Sequence, residues 1–149
     1  MARLEFDVDT SLSPERVAGA LLDFSPRRPE IWPGIEPSLY EVYSVGETSA
    51  DIGEGTKFPG IKIWAKEHYD WSTPGKVTWT VVESNFSSPG SNVSATITPG
   101  EAGGSRIHVV WERTGTTFVG RMIVSMIKLS KGKPLAASMK KALDKLERG

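Results

Sequence analysis

The 149-residue sequence contains no cysteine and only two histidines. Without cysteine, the chain forms no disulfide, carries no thiolate nucleophile and holds no zinc–sulfur centre. His68 and His108 are too few for a histidine-rich metal site, so we expect no metal and no cofactor. The sequence also lacks the Gly-x-Ser-x-Gly string that places a serine nucleophile on a tight turn in α/β-hydrolases. It therefore offers no recognisable catalytic motif.

Net charge and long apolar runs are also missing. Eighteen basic residues balance eighteen acidic ones, which argues against nucleic acid as a partner because phosphates attract a basic surface. No stretch approaches the roughly 20 apolar residues of a membrane-spanning helix. Residues 1–7 include two acids and no apolar run, unlike a secretory signal. We expect a single domain over residues 1–149 of a soluble, cytoplasmic protein.

Most of the sequence alternates between apolar and polar residues, which is typical of half-buried antiparallel strands. Strands are predicted over residues 3–10 and 61–71 and, most clearly, over residues 77–85, 92–98 and 106–114. Turns are predicted at Gly46, Gly53 and Gly55, Pro59, Pro74, Pro89 and Gly103. We interpret residues 53–56 (GEGT) as a hairpin turn, because the string lacks the Gly-Lys-Ser/Thr ending of a phosphate-binding loop.

Helices are predicted at both ends of this run of strands. Ser13 followed by Pro14 is a typical helix start, and residues 119–129 form a strongly apolar helix with only two charges. The apolar periodicity changes phase at residues 132–134 (GKP), where proline opposes a continuous helix. We therefore expect a break near residues 131–134, followed by an amphipathic helix. A last helix that lies across a curved sheet can leave a pocket between them.

The apolar strand faces and the last helix supply the candidate binding residues. Those predicted to line a pocket are Trp32, Glu67, Tyr69, Trp71, Trp79, Trp111, Arg113, Met122 and Met126. Aromatic and methionine side chains would contact a flat or flexible ligand, although the same residues also serve as ordinary core. Glu67 and Arg113 are charges on otherwise apolar faces, so each needs a ligand, solvent or a partner. They either hold the polar part of a ligand, reach solvent at strand ends, or pair with each other.

Two local strings resemble a known family. Residues 13–24 (SPERVAGALLDF) and 29–35 (PEIWPGI) are similar to segments of the START-related helix-grip superfamily. The similarity is to its polyketide cyclase/dehydrase and lipid-transport branch (SRPBCC), also called Bet v 1-like. The resemblance implies an α+β fold in which a seven-stranded antiparallel sheet curves around a long C-terminal helix, in the order β-α-α-β-β-β-β-β-β-α. No catalytic motif of that family is found at matching positions.

Three functions are open at this stage. The first is binding or carriage of an apolar small molecule, such as a lipid, polyketide or quinone-like compound, between the sheet and the C-terminal helix. The second is a polyketide aromatase/cyclase or dehydratase, with Glu67 as acid or base because an apolar pocket raises a carboxyl pKa. The third is a protein-interaction module or homodimer that uses the apolar surface of residues 119–129.

Overall fold

The computed structural model describes residues 2–148 of the chain. The strands are β1 (Ala2–Thr10), β2 (Glu41–Val45), β3 (Ser49–Phe58), β4 (Ile61–Asp70), β5 (Lys76–Ser84), β6 (Asn92–Pro99) and β7 (Ser105–Arg113). The α-helices are α1 (Pro14–Leu21), α2 (Arg28–Ile31), α3 (Phe118–Leu129) and α4 (Lys133–Arg148), with short 3₁₀ turns at Pro37–Leu39 and Glu101–Gly103. The first two helices therefore connect β1 to β2, and the last two follow β7.

The seven strands form one antiparallel sheet in the order β1-β7-β6-β5-β4-β3-β2. Strands β2 to β7 pair with their neighbours in sequence, whereas β1 pairs with β7, from Ala2 opposite Arg113 to Thr10 opposite Ser105. This arrangement confirms the predicted α+β helix-grip architecture with seven antiparallel strands.

One face of the sheet carries the hydrophobic core. In β7, Ile107, Val109 and Trp111 are buried, and in β5 Val77 and Val81 are buried. The alternation in the sequence predicted the same inward faces for these strands, because successive side chains of a strand point to opposite sides.

The predicted turn at Gly53 and Gly55 is wrong, since both glycines lie within β3. Gly55 is a point of close contact: a β-carbon there would lie 2.5 Å from the carbonyl oxygen of Ile63 and 2.8 Å from Leu39 Cδ1. Glycine inside a strand often marks such a close approach of neighbouring groups. As a result Glu54, between the two glycines, is on the inward face of β3 rather than in a turn.

The C-terminal helix is broken, as the phase change predicted. Helix α3 ends at Leu129 and α4 begins at Lys133, with Lys131 and Gly132 at φ values of 57° and 75°. Pro134 is the second residue of α4, where its missing N–H would have no helical partner. The single long helix implied by the family resemblance is thus two helices, both of which contact β1.

The orientation of α3 differs from the expectation. Its buried residues are Gly120 and Val124, and Ile127 packs against the core. Met122 and Met126 lie on the exposed face instead, so they do not line the space between α3 and the sheet. Because α3 is apolar around most of its circumference, its sequence does not distinguish the two faces. Within residues 2–148, no helix combines the length and apolar composition needed to cross a bilayer.

Candidate functional site

A cavity of about 240 Å³ opens on the inward side of the sheet. Its wall is formed by the loop after α2, the three strands β3 to β5, Phe86 and the end of β7. The lining residues are Gly34, Ile35, Glu54, Gly55, Thr56, Ile63, Ala65, Glu67, Trp79, Phe86 and Arg113. The described parts of α3 and α4 contribute no lining residue, so the cavity lies beside the C-terminal helices rather than directly beneath them.

Larger hollows exist at other places on the molecule. One of about 730 Å³ is lined by Asp9, Arg106 and Lys140 among other residues. Two of its charges pair with each other, since Arg106 Nε lies 2.8 Å from Asp9 Oδ1, and Lys140 Nζ donates to the Asp9 carbonyl at 3.0 Å. We regard the smaller cavity as the functional candidate because it is bordered by buried charged groups with loose internal contacts.

Glu67 and Arg113 face each other across this cavity. Arg113 Nη2 lies 3.4 Å from Glu67 Oε2, and Arg113 Nη1 lies 3.5 Å from Ser87 Oγ. Both distances are longer than the 2.7–2.9 Å of a strong charge-assisted hydrogen bond. Pairing with each other was one of the alternatives for these two charges, and in the structure they form a loose pair on the cavity wall.

The Glu67 carboxyl has a strongly perturbed acidity. Burial raises its pKa to about 7, opposed by the positive charge of Arg113 and reinforced by the negative charge of Glu54. Near neutral pH this carboxyl is therefore divided between its protonated and ionised forms. Groups with such a pKa in a cavity are candidates for ligand recognition or proton transfer.

A second polar cluster, formed by Arg28, Glu54 and Tyr69, supports the cavity from behind. Arg28 Nε lies 2.9 Å from Glu54 Oε1, and Tyr69 Oη donates to the same Glu54 oxygen at 2.7 Å. Arg28 Nη2 donates to Tyr69 Oη at 3.1 Å, and its Nη1 donates to the carbonyls of Leu21 and Asp23. These bonds fix α2 and the end of α1 against β3 and β4.

The protonation of this cluster follows from its contacts. Burial lowers the pKa of Arg28, but the influence of Tyr69 and Glu54 outweighs burial and the net change is upward. Burial, followed by the charge of Glu54, raises the pKa of Tyr69 well above its ordinary value. At physiological pH the cluster therefore holds a cationic guanidinium and a neutral phenol. Neither of these two groups titrates near neutral pH.

Aromatic rings extend from the cavity wall into the core. Trp79 borders the cavity and stacks on Tyr69 with ring centroids 5.5 Å apart. Tyr69 meets Phe24 edge-on at 5.1 Å, and Phe24 packs against Trp71 at 5.9 Å. The rotational freedom of Trp79 is thereby reduced, so its exposed side offers a fixed surface to a flat molecule.

The structure separates the predicted site residues into groups. Glu67, Trp79 and Arg113 are on the cavity wall, and Tyr69 lies directly behind it. The remaining predicted residues are elsewhere: Trp32 donates its indole N–H to the Ala20 carbonyl at 3.1 Å, Trp71 and Trp111 pack in the core, and Met122 and Met126 are on the exposed side of α3.

Two charged residues of the site, Arg28 and Glu54, were missed by the sequence analysis. Glu54 shares an inward face with Ala50 and Ile52, and this alternation would have identified it if Gly53 and Gly55 had not been interpreted as a turn. Arg28 lies in the four-residue helix α2, which is too short to show a periodic pattern. Its burial was not visible before the tertiary contacts were known.

Neither histidine belongs to the site. His68 Nδ1 lies 2.9 Å from Asp51 Oδ1, and His108 lies between Asp7 and Glu5, in both cases on the outer face of the sheet. Within the part of the chain that the structure describes, no three histidine or acidic side chains are grouped to hold a metal ion.

No protein-family model matches the sequence, and no curated protein matches it. The fold is nevertheless similar to solved structures. Zhui aromatase/cyclase from Streptomyces sp. R1128 has a TM-score of 0.78 at 11% identity, covering 99% of this chain and 94% of that chain. A START superfamily protein from Mycobacterium smegmatis has a TM-score of 0.75 at 12% identity, covering 97% and 98%.

A plant protein extends the comparison. Ginseng major latex-like protein 151 from Panax ginseng has a TM-score of 0.59 at 12% identity, covering 87% of this chain and 93% of that chain. At such identities the similarity concerns the fold alone, and it spans nearly the whole length of each chain. Together with the seven-stranded antiparallel sheet and the helices that follow it, these comparisons show that the chain has the helix-grip fold of these START superfamily, aromatase/cyclase and major latex-like structures.

Proposed function

We propose that the protein binds a small, mostly apolar molecule with one polar group in the cavity beside Glu67 and Arg113. The observation that carries this proposal is the loose pair itself, with its 3.4 Å separation, on a wall otherwise rich in apolar groups. Buried charges are expensive unless they are fully hydrogen-bonded. A ligand oxygen between the two side chains would add shorter hydrogen bonds to both of them.

The two side chains suit a hydroxyl or carbonyl group. Arg113 donates hydrogen bonds only, whereas a carboxyl with a pKa of about 7 donates when protonated and accepts when ionised. A hydroxyl could thus donate to Glu67 while it accepts from Arg113, and a carbonyl could accept from both. Trp79 and Phe86 would contact the apolar body of the ligand.

The volume limits the ligand to a modest size. A cavity of about 240 Å³ lies slightly below the roughly 300–1,000 Å³ of typical ligand sites. It accommodates one or two aromatic rings, or a short chain, more readily than a complete lipid. The similar fold of an aromatase/cyclase also agrees with an aromatic or polyketide-derived ligand.

Binding can be tested with 2-naphthol, which combines two rings and one hydroxyl, by fluorescence titration. We expect saturable binding to the wild type and affinity at least about tenfold weaker in Trp79→Ala, because the ring that forms the wall is lost. Trp64→Ala is the matched control, since Trp64 borders a different hollow on the outer face of the sheet. Circular dichroism and thermal unfolding establish that both variants are folded.

Equal affinity of the two tryptophan variants would contradict the proposed site. Native and denaturing mass spectra of freshly purified protein provide a second measurement. A noncovalent mass that disappears on unfolding would identify the natural ligand, and its loss from Trp79→Ala protein would locate it in this cavity.

The second candidate function is catalysis in the same cavity, and the acidity of Glu67 is the observation that favours it. A general acid or base works best when its pKa is near the operating pH, and Glu67 has a pKa of about 7. In this case Glu67 would move a proton during cyclisation or dehydration of a poly-ketone held by the aromatic wall. Glu67→Gln keeps a side chain that can hydrogen-bond a hydroxyl, so it should still bind 2-naphthol but lose turnover of a poly-ketone thioester, whereas unchanged turnover would exclude Glu67 from the reaction.

A further inference from the structure

Helix α3 presents a continuous apolar stripe to solvent. Its exposed side chains recur at helical spacing and have large exposed fractions: Phe118 76%, Met122 45%, Met126 62% and Leu129 83%. At about 1.5 Å per residue the stripe is about 16 Å long. The helix also has a well-formed start, because Thr117 Oγ1 accepts a hydrogen bond from the Gly120 amide at 3.0 Å. The stripe therefore belongs to a regular helix and not to a frayed segment.

The charges in the chain segment that carries this stripe are all of one sign. Residues 113–141 contain seven basic and no acidic residues, although the whole chain has eighteen of each. Four of the seven lie in or next to α3: Arg121, Lys128, Lys131 and Lys133. Within residues 2–148, none of these four forms a salt bridge with an acidic side chain; the described ion pairs lie elsewhere. The positive charge next to the stripe is thus not neutralised by the protein.

A hollow of about 280 Å³ adjoins the helix on the side of β7 and contains three of the basic residues. Arg113, Arg121 and Lys128 line it together with Ala2, Thr114, Gly115, Val124 and Ser125. Among the residues that the structure describes, no acidic side chain borders it. Three cations with hydroxyl groups around one hollow form a suitable environment for a phosphate oxygen. This hollow is separate from the aromatic cavity, although Arg113 is at the boundary of both.

We propose that α3 is a docking surface for an anionic lipid bilayer. The helix would lie in the plane of the membrane interface, with the stripe among the acyl chains and Arg121, Lys128, Lys131 and Lys133 at the headgroup level. A headgroup phosphate would enter the hollow beside Lys128. This combination of an exposed apolar face and a basic polar face is typical of helices that bind membrane surfaces, and each basic residue near an anionic surface strengthens binding about fivefold.

The same charges argue against a dimer in which the exposed face of α3 packs against a second copy of the chain. Pairing α3 with α3 would bring the unpaired cations of both copies to one interface, without an acidic residue in the segment to compensate them. Like charges opposed in an interface are unfavourable. An anionic bilayer supplies the opposite charge over the whole length of the stripe.

Vesicle flotation with the full-length protein tests this proposal. We expect the protein to float with vesicles of phosphatidylcholine mixed with phosphatidylglycerol, to float much less with phosphatidylcholine alone, and to be released by high salt. Leu129→Ser and Phe118→Ser should each weaken partitioning about tenfold. Lys128→Glu should weaken it by at least about fivefold. All three side chains are exposed, so the fold should be retained.

The controls are exposed residues of the sheet, outside α3. Val45→Ser and Val82→Ser match the apolar variants, and Lys62→Glu matches the charge reversal; these three should partition like the wild type. The proposal is overturned by absence of vesicle binding, by equal binding to neutral and anionic vesicles, or by α3 variants that behave like the controls. It is also overturned if sedimentation shows a dimer that Leu129→Ser dissociates while no variant binds vesicles, which would assign the face to a second copy. The assay requires no occupant of the aromatic cavity and is therefore independent of the proposed ligand.

Discussion

Replacing Glu67 with glutamine should change the way in which the stability of the protein depends on pH. Burial raises the pKa of this carboxyl from 4.5 to about 7, so the folded protein binds the proton more tightly than the unfolded chain does. The contribution of Glu67 to the free energy of unfolding must then fall as the pH rises from 4.5 to 7. Its value above this range is about 3 kcal/mol lower, at roughly 1.4 kcal/mol per pH unit.

The glutamine variant lacks this titration while it keeps nearly the same shape. The difference in free energy of unfolding, variant minus wild type, should therefore increase by about 2–3 kcal/mol between about pH 5 and about pH 8. The sign is specific to a raised carboxyl pKa, since a carboxyl with a lowered pKa would stabilise the wild type as the pH rises. Comparing the two proteins at each pH cancels the contribution of all other titrating groups.

Urea unfolding followed by tryptophan fluorescence at several pH values measures this difference. Glu47→Gln is the matched control, because Glu47 is exposed between β2 and β3, and its profile should run parallel to that of the wild type. Parallel profiles for Glu67→Gln as well would refute the reasoning, since they would mean that Glu67 is ionised in the folded protein as easily as in the unfolded chain.

Two further predictions concern the contributions of Arg28 and Gly132 to the stability of the fold. Arg28→Ala should lower the free energy of unfolding by about 3 kcal/mol, because it leaves Glu54 without its buried partner; a loss below about 1 kcal/mol in urea unfolding would contradict this role. Gly132→Ala should cost about 1–2 kcal/mol or more, since φ is 75° there and a β-carbon would lie 2.8 Å from Leu4 Cδ1. Gly19→Ala, in open space on α1, should instead stabilise by about 0.5–1 kcal/mol, and equal thermal shifts in the two alanine variants would be inconsistent with the break at Gly132.

Local patterns were sufficient to predict most of the architecture. The alternation in residues 106–114 identified the buried face of β7, because a strand has only two faces and the apolar residues occupy one of them. The break between α3 and α4 was likewise predictable, since it depends on the backbone preferences of Gly132 and Pro134.

Other features depended on contacts between distant segments. Gly53 and Gly55 have the composition of a turn but lie inside β3, because the sheet requires a close approach at Gly55. Met122 and Met126 are apolar residues of an apolar helix, and only the packing of Gly120 and Val124 against the rest of the chain decides which face is exposed. Composition alone does not resolve either choice.

The pair on the cavity wall shows most clearly which features follow from the sequence and which depend on the tertiary structure. The sequence by itself determined that Glu67 and Arg113 project from apolar strand faces, because alternation fixes the side on which each residue lies. Only the tertiary structure decided that they meet. Strands β4 and β7 are separated by β5 and β6, a distance of about 14 Å in a flat sheet at about 4.8 Å per strand. The two side chains nevertheless approach to 3.4 Å, because both are long and project from the inward face of the sheet into the same cavity.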